Sequence, residues 1–168
     1  MSAALPRLTT KMLKPLVTHL RMRGMRFFIY IDDGLCLSDS YEKALSESAY
    51  VQQLLKQLGW FVQPEKCHWA PLQFFAWLGF DINLIEQSIS IPSEKLRRFR
   101  QKLTMALNAS HVSPRDLLCL TGTIISMSLV YDLLAHILSK PLFHFVNQML
   151  HLSSASYDTK TPVSAEIA

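Results

Sequence analysis

Residues 25–37 read MRFFIYIDDGLCL, and this stretch decides the fold. Met25 to Ile31 is a run of aromatic and β-branched side chains, the composition of a strand. Asp32-Asp33-Gly34 carries a tight-turn signal. Leu35 to Leu37 then continues as a return strand. The segment therefore predicts an antiparallel β-hairpin with two carboxylates at its tip.

Working outward, residues 8–23 predict a helix, with Leu8, Met12, Leu16 and Leu20 at near-helical spacing. Pro15 falls inside it and predicts a kink, and Gly24 ends it. Asp39-x-x-Glu42 has the form of a capping box. It predicts a helix to Leu58 that buries Leu45, Leu54, Leu55 and Leu58 and stops at Gly59. Short strands are predicted at Trp60–Val62 and Lys66–Trp69, with a turn at Pro64. A hydrophobic strand is predicted at residues 74–82, pairing through a hairpin with Ser88–Ile91.

After Pro92-Ser93 the pattern becomes helical. Residues 94–108 carry Leu96, Phe99, Leu103, Ala106 and Leu107 on one side and Lys95, Arg98 and Lys102 on another. Ser113-Pro114-Arg115-Asp116 predicts a helix start with proline in the first helical position. That helix is predicted to reach Ser139. Lys140-Pro141 should interrupt, and a third helix should cover residues 142–150. Gly122 inside a helix implies close helix packing. Residues 153–168 are polar and aperiodic, which predicts disorder. The organisation is one unit over residues 1–92, a helical unit over 93–152, and a tail over 153–168.

Hydrophobic residues make up 49% and charged residues 18% of the 168, enough apolar content for a packed core and too much for a disordered chain. The net charge of +4 suits a polyanionic partner, and its placement says more. The first 31 residues hold six basic side chains (Arg7, Lys11, Lys14, Arg21, Arg23, Arg26) and no acid. Cys36, Cys67 and Cys119 form no C-x-x-C pair, so reduced thiols in an intracellular protein are the simpler reading, cytoplasmic or nuclear. No signal peptide is seen. The longest uncharged stretch, Leu117–Tyr131, has 15 residues, too few to span a membrane.

The chemistry centres on Tyr30-Ile31-Asp32-Asp33. Two carboxylates fixed on a hairpin tip supply hard oxygen ligands suited to Mg²⁺, and a pair of such ions can activate a primer hydroxyl and stabilise leaving pyrophosphate. A plain surface turn is the competing reading, because Asp-Gly is a favoured hairpin dipeptide.

Beyond that motif, residues 8–150 resemble the reverse-transcriptase family, in particular retrotransposons of the DIRS type. Tyr30-Ile31-Asp32-Asp33-Gly34 resembles its YxDD hairpin. LLKQLGWFVQPEKC (54–67) is similar to the next motif, Trp77-Leu78-Gly79-Phe80 to the primer-grip hairpin, and Ile91–Leu107, beginning IPSEKL, to the first thumb helix. SPRDLLCLTGTIISM (113–127) resembles the following thumb helix, and Thr10–Gly24 the helix beneath the incoming nucleotide. The motifs stand in the family's order and at its spacing.

The resemblance implies an α+β fold, a partial polymerase palm of antiparallel hairpins and helices followed by an all-helical thumb. It implies an RNA-directed DNA polymerase, a nucleotidyltransferase whose partners are an RNA template, a DNA primer or RNA–DNA hybrid, and dNTP, with Mg²⁺ as cofactor. Asp32 and Asp33 would be catalytic and hold metal, and Lys66 would be the acid that protonates pyrophosphate. Trp77, Leu78 and Gly79 would position the primer. Tyr30, Lys95, Arg98 and Lys102 would contact nucleic acid. The bland readings are a solvated Lys66, a sheet core at Trp77 and Leu78, and a solvated helix face at Lys95, Arg98 and Lys102.

The family's further carboxylate lies upstream of the hairpin, yet no Asp or Glu precedes Asp32. The expectation is therefore a palm-and-thumb fragment with weak Mg²⁺ binding and no polymerisation by this polypeptide alone. A non-catalytic nucleic-acid-binding remnant of a retroelement is the alternative.

Overall fold

The computed structural model describes residues 5–152 and 156–162. The chain is a mixed α+β protein with small antiparallel sheets. It forms two compact units, Met1–Leu78 and Gly79–Ala168.

In the first unit, α1 (Leu5–Met22) runs through Pro15 without interruption and buries Leu13, Leu16 and Leu20. Gly24, at φ 79°, ends it in a Schellman turn. The Met25 amide donates to the Leu20 carbonyl at 3.2 Å and the Gly24 amide to that of Arg21 at 2.9 Å. Strands β1 (Arg26–Tyr30) and β2 (Asp33–Leu37) follow, paired antiparallel from Arg26↔Leu37 to Tyr30↔Asp33.

Helix α2 (Tyr41–Gln57) is capped by Ser40, whose hydroxyl accepts from the Lys43 amide at 3.2 Å. The predicted cap, Asp39, instead forms ion pairs with Arg26 and Lys43. The Gly59 end repeats the Schellman geometry, with the Trp60 amide on the Leu55 carbonyl at 3.0 Å. The buried side chain of α2 is Val51, with Leu54 and Leu55 half-buried, whereas Leu45 and Leu58 are exposed. The core joins Leu13, Leu16 and Leu20 to Met25, Phe27 and Val51.

The strands expected at Trp60–Val62 and Lys66–Trp69 do not form. Pro64–Lys66 is a 3₁₀ turn, and the Ser48 hydroxyl holds the Trp69 carbonyl at 2.6 Å. Strand β3 (Phe74–Trp77) closes the unit. The single strand expected at 74–82 is broken because Leu78 and Gly79 both adopt positive φ, 50° and 79°, in a turn.

In the second unit, β4 (Phe80–Asn83) pairs antiparallel with β5 (Ser88–Ser90), as the alternation predicts. Helix α3 (Ser93–Leu107) covers Phe80, Ile91 and Met127 with Leu96 and Phe99, while Leu103 and Leu107 are exposed. Strand β6 (His111–Val112) leads into α4 (Pro114–Ile125).

Ser113 and Asp116 form a full capping box at the start of α4. An α-helix leaves its first amides without internal partners. Here Pro114 has none to satisfy, the Asp116 amide donates to Ser113 Oγ at 3.2 Å, and the Arg115 amide donates to the Tyr157 carbonyl at 3.0 Å.

The helix expected to reach Ser139 breaks earlier. The short α5 (Ser128–Tyr131) and Asp132, at φ 44°, separate α4 from α6 (Leu133–Leu152), which continues through Lys140-Pro141. Val112, Leu117, Val146 and Met149 form the core between α4 and α6.

Of the tail expected to be disordered, residues 153–155 and 163–168 lie outside the described residues. Thr161–Pro162 forms β7, paired with β6, and Asp158 pairs with Arg115. No helix among the described residues is long and apolar enough to cross a membrane.

Candidate metal-binding hairpin

The hairpin turn is Ile31-Asp32, one residue pair earlier than the Asp-Gly signal suggests. Asp33 and Gly34 belong to β2. Strand pairing decides this register: Phe27↔Cys36 and Ile29↔Gly34 put Phe27, Ile29 and Cys36 on the face that packs against α1 and α2. A turn centred on Asp33-Gly34 would leave these side chains on the same face but set Cys36 opposite Ile31 and Phe27 opposite Ser40, beyond the end of β2. Gly34 serves a different purpose from the predicted one. A Cβ there would meet the Phe27 ring at 3.2 Å, so the small residue admits that ring.

The register has a local cost. Ile31 sits at φ 57°, the left-handed region, where a β-branched side chain is a backbone outlier. A turn with positive φ at its first central residue alone ordinarily holds glycine there. The strain sits between Tyr30 and the two carboxylates. Tyr30 and Asp33 are register partners, and Tyr30, Asp32 and Asp33 are all exposed.

The base of the hairpin is secured from both sides. Arg26 binds Asp39, which holds that carboxyl below its usual range, and Arg26 Nε also donates to the Leu37 carbonyl at 3.3 Å. On the other face Glu47 of α2 accepts from Ser38 Oγ and, at 3.6 Å, from Cys36 Sγ. Burial, with Glu47 beside it, pushes the Cys36 thiol up to about 11.

The outer face of β1 remains open, with Phe28 41% and Tyr30 58% exposed. The Arg21 guanidinium stands 5.9 Å from the Phe28 ring centre, and its Nε donates to the Phe27 carbonyl at 3.0 Å. Sequence spacing had singled out neither Ile31 nor Arg21. Only the strand register exposes the first, and only the helix-to-strand turn brings the second across.

The other expected site residues fall in separate settings. Lys66 ends the 3₁₀ turn, is exposed, and makes no hydrogen bond or ion pair to Asp32 or Asp33 among the described residues. Trp77 is half-buried, and its indole Nε1 is buried with no hydrogen-bond partner. Leu78 is exposed in the turn. Gly79 supplies a positive φ rather than room for a neighbouring backbone, since the nearest atom to an added Cβ is Lys95 Nζ at 3.8 Å.

Lys95 Nζ lies 5.1 Å from the Phe80 ring centre and donates to the Ser126 carbonyl at 3.3 Å. Arg98 and Arg97 both bind Glu94, which lowers that carboxyl to about 2. Lys102 is exposed, with no ion pair among the described residues.

As a metal site, the described residues offer an incomplete donor set. No group of three or more His, Cys, Asp or Glu side chains converges among them. Two neighbouring exposed carboxylates can hold one hard cation loosely, with water filling the remaining positions. They do not make a two-metal centre. Comparison with family models, with curated proteins and with solved structures returns no match for the chain.

Proposed function

We propose that the chain is part of an RNA-directed DNA polymerase of the reverse-transcriptase family, with residues 1–92 as a partial palm and residues 93–152 as a helical thumb. The observation that carries this reading is the strained Ile31 at a two-residue turn that presents Asp32 and Asp33 to solvent. Backbone strain of this kind costs on the order of 1–3 kcal/mol and persists where surrounding structure enforces it, most often at functional sites. The ordered motifs at 54–67, 77–80, 91–107 and 113–127 support the same reading.

In this proposal Asp32 and Asp33 are the metal-holding carboxylates, Tyr30 contacts nucleic acid, and Trp77, Leu78 and Gly79 belong to a primer-positioning turn. Lys66 is the candidate proton donor to pyrophosphate. Lys95, Arg98 and Lys102 belong to the thumb's nucleic-acid face, with Lys102 the best placed of the three because it makes neither the carbonyl contact that holds Lys95 nor the ion pair that holds Arg98 among the described residues. Template RNA, primer DNA and dNTP are the partners of such an enzyme. With only two carboxylates at the hairpin, the polypeptide alone should bind Mg²⁺ weakly and extend no primer.

Mn²⁺ titration followed by amide NMR tests the reading. Paramagnetic broadening should begin at residues 30–34, need millimolar ion, and vanish in Asp32→Asn. Broadening that starts elsewhere, or that Asp32→Asn leaves intact, would refute the metal assignment. Primer extension by the chain alone, abolished by the same substitution, would refute the inactivity.

A further inference from the structure

Arg7, Lys11, Lys14, Thr18 and Arg21 recur along α1 at spacings of four, three, four and three residues. That period places them in one ridge on one face of the helix, with neighbouring Cβ atoms about 5–6 Å apart. All five are exposed, while Leu13, Leu16 and Leu20 on another face are buried. From Arg7 to Arg21 the ridge extends about 21 Å at 1.5 Å per residue.

The cations of this ridge, Arg7, Lys11, Lys14 and Arg21, take part in no ion pair among the described residues. No acid occurs before Asp32. Like charges three and four residues apart destabilise a helix by a few tenths of a kcal/mol each. A polyanion laid along the ridge would relieve that repulsion. At its C-terminal end Arg21 reaches over the Phe28 ring, and Phe28 and Tyr30 stand exposed beyond it on the open face of β1.

We propose that the outer face of α1 is a track for a single nucleic-acid strand, its phosphates on Arg7, Lys11 and Lys14 and its bases stacking at Phe28 and Tyr30. Regularly spaced cations leading to exposed aromatic rings are how proteins hold single strands without reading sequence. An acidic polypeptide would satisfy the charges but leave the two rings unused. The track needs neither carboxylate of the hairpin nor a metal, so it stands whether or not the polymerase reading does.

The test is fluorescence anisotropy of a labelled 20-mer of oligouridylate with the full chain, in EDTA, over a range of salt. The double substitution Lys11→Gln/Lys14→Gln should weaken binding about tenfold or more near 0.1 M salt and flatten the log–log salt slope by about 1.4, the share of two single-strand phosphate contacts. The same variant should resist urea as well as or better than the parent, because the repulsion is gone. That outcome separates a binding role from a structural one. Tyr30→Ala should weaken binding roughly tenfold, the loss of a stacked base. Lys56→Gln, on α2 and equally exposed, should change neither affinity nor slope. An unaltered slope in the double variant, an equal loss in Lys56→Gln, or polyglutamate binding as tightly as the RNA would each overturn the proposal.

Discussion

At the scale of single residues, two side chains report how the hairpin is held. Ile31 is strained in the folded chain only, so relieving it acts on the native state. Replacing it with glycine removes the Cβ clash, at the cost of more backbone entropy to lose on folding. The balance should favour Ile31→Gly by about 1 kcal/mol, read as a higher urea midpoint at unchanged slope. Ile31→Val keeps the branch at Cβ and should change little. A loss of stability in Ile31→Gly would mean that the turn is not strained.

Cys36 is the second reporter. Its thiol ionises near 11 in the fold, against an ordinary value of 9.0, because burial and then Glu47 disfavour the thiolate. The native chain therefore binds this proton more tightly than the unfolded chain does. The resulting stabilisation is complete below about pH 9 and is lost as pH rises towards 11. Between about pH 8.5 and 10.5 the parent should lose more stability than Cys36→Ala. At about pH 8.5 Cys36 should also react with iodoacetamide more slowly than the exposed Cys119.

At the scale of elements, Gly24 and Gly59 are glycines that the backbone requires, and Gly122 is one that it does not. Gly24 and Gly59 hold positive φ at the ends of α1 and α2, where alanine would meet the left-handed penalty of about 1–2 kcal/mol. Gly122 lies inside α4 with nothing within 4 Å of an added Cβ. The close helix packing inferred for it from the sequence is absent, and nothing in the structure explains the residue. Gly122→Ala should stabilise the chain by about 1 kcal/mol, whereas Gly24→Ala should destabilise it by a similar amount or more. Thermal midpoints moving in opposite directions would establish the distinction, and a destabilising Gly122→Ala would reveal a constraint on that face of α4.

At the scale of the whole molecule, what could be read in advance follows interaction range. The hairpin, the helix ends at Gly24 and Gly59 and the cap at Ser113 were legible because their causes lie within a few residues. The turn register was not, since Asp-Gly is a local signal and pairing of Phe27 and Ile29 with β2 overrides it. Pro141 was misread for a related reason: the missing amide is a local defect that the packing of α6 against α4 tolerates. The carboxylate pair Asp32-Asp33 was legible as a motif, while the positive φ of Ile31 beside it was not.

Least legible was the segment 156–162, whose partners lie 43 residues earlier for the Arg115–Asp158 pair. Composition alone gives no hint of such docking. Its contribution is testable at one atom. An exposed ion pair adds little stability, but the Arg115 amide has no helical acceptor and relies on the Tyr157 carbonyl. A chain ending at Leu152 should therefore exchange the Arg115 amide about tenfold faster or more, while the mid-helix amide of Leu120 keeps its protection. Equal protection of Arg115 in both chains would show that the tail does not dock in solution, and a parallel loss at Leu120 would show that it holds the whole of α4.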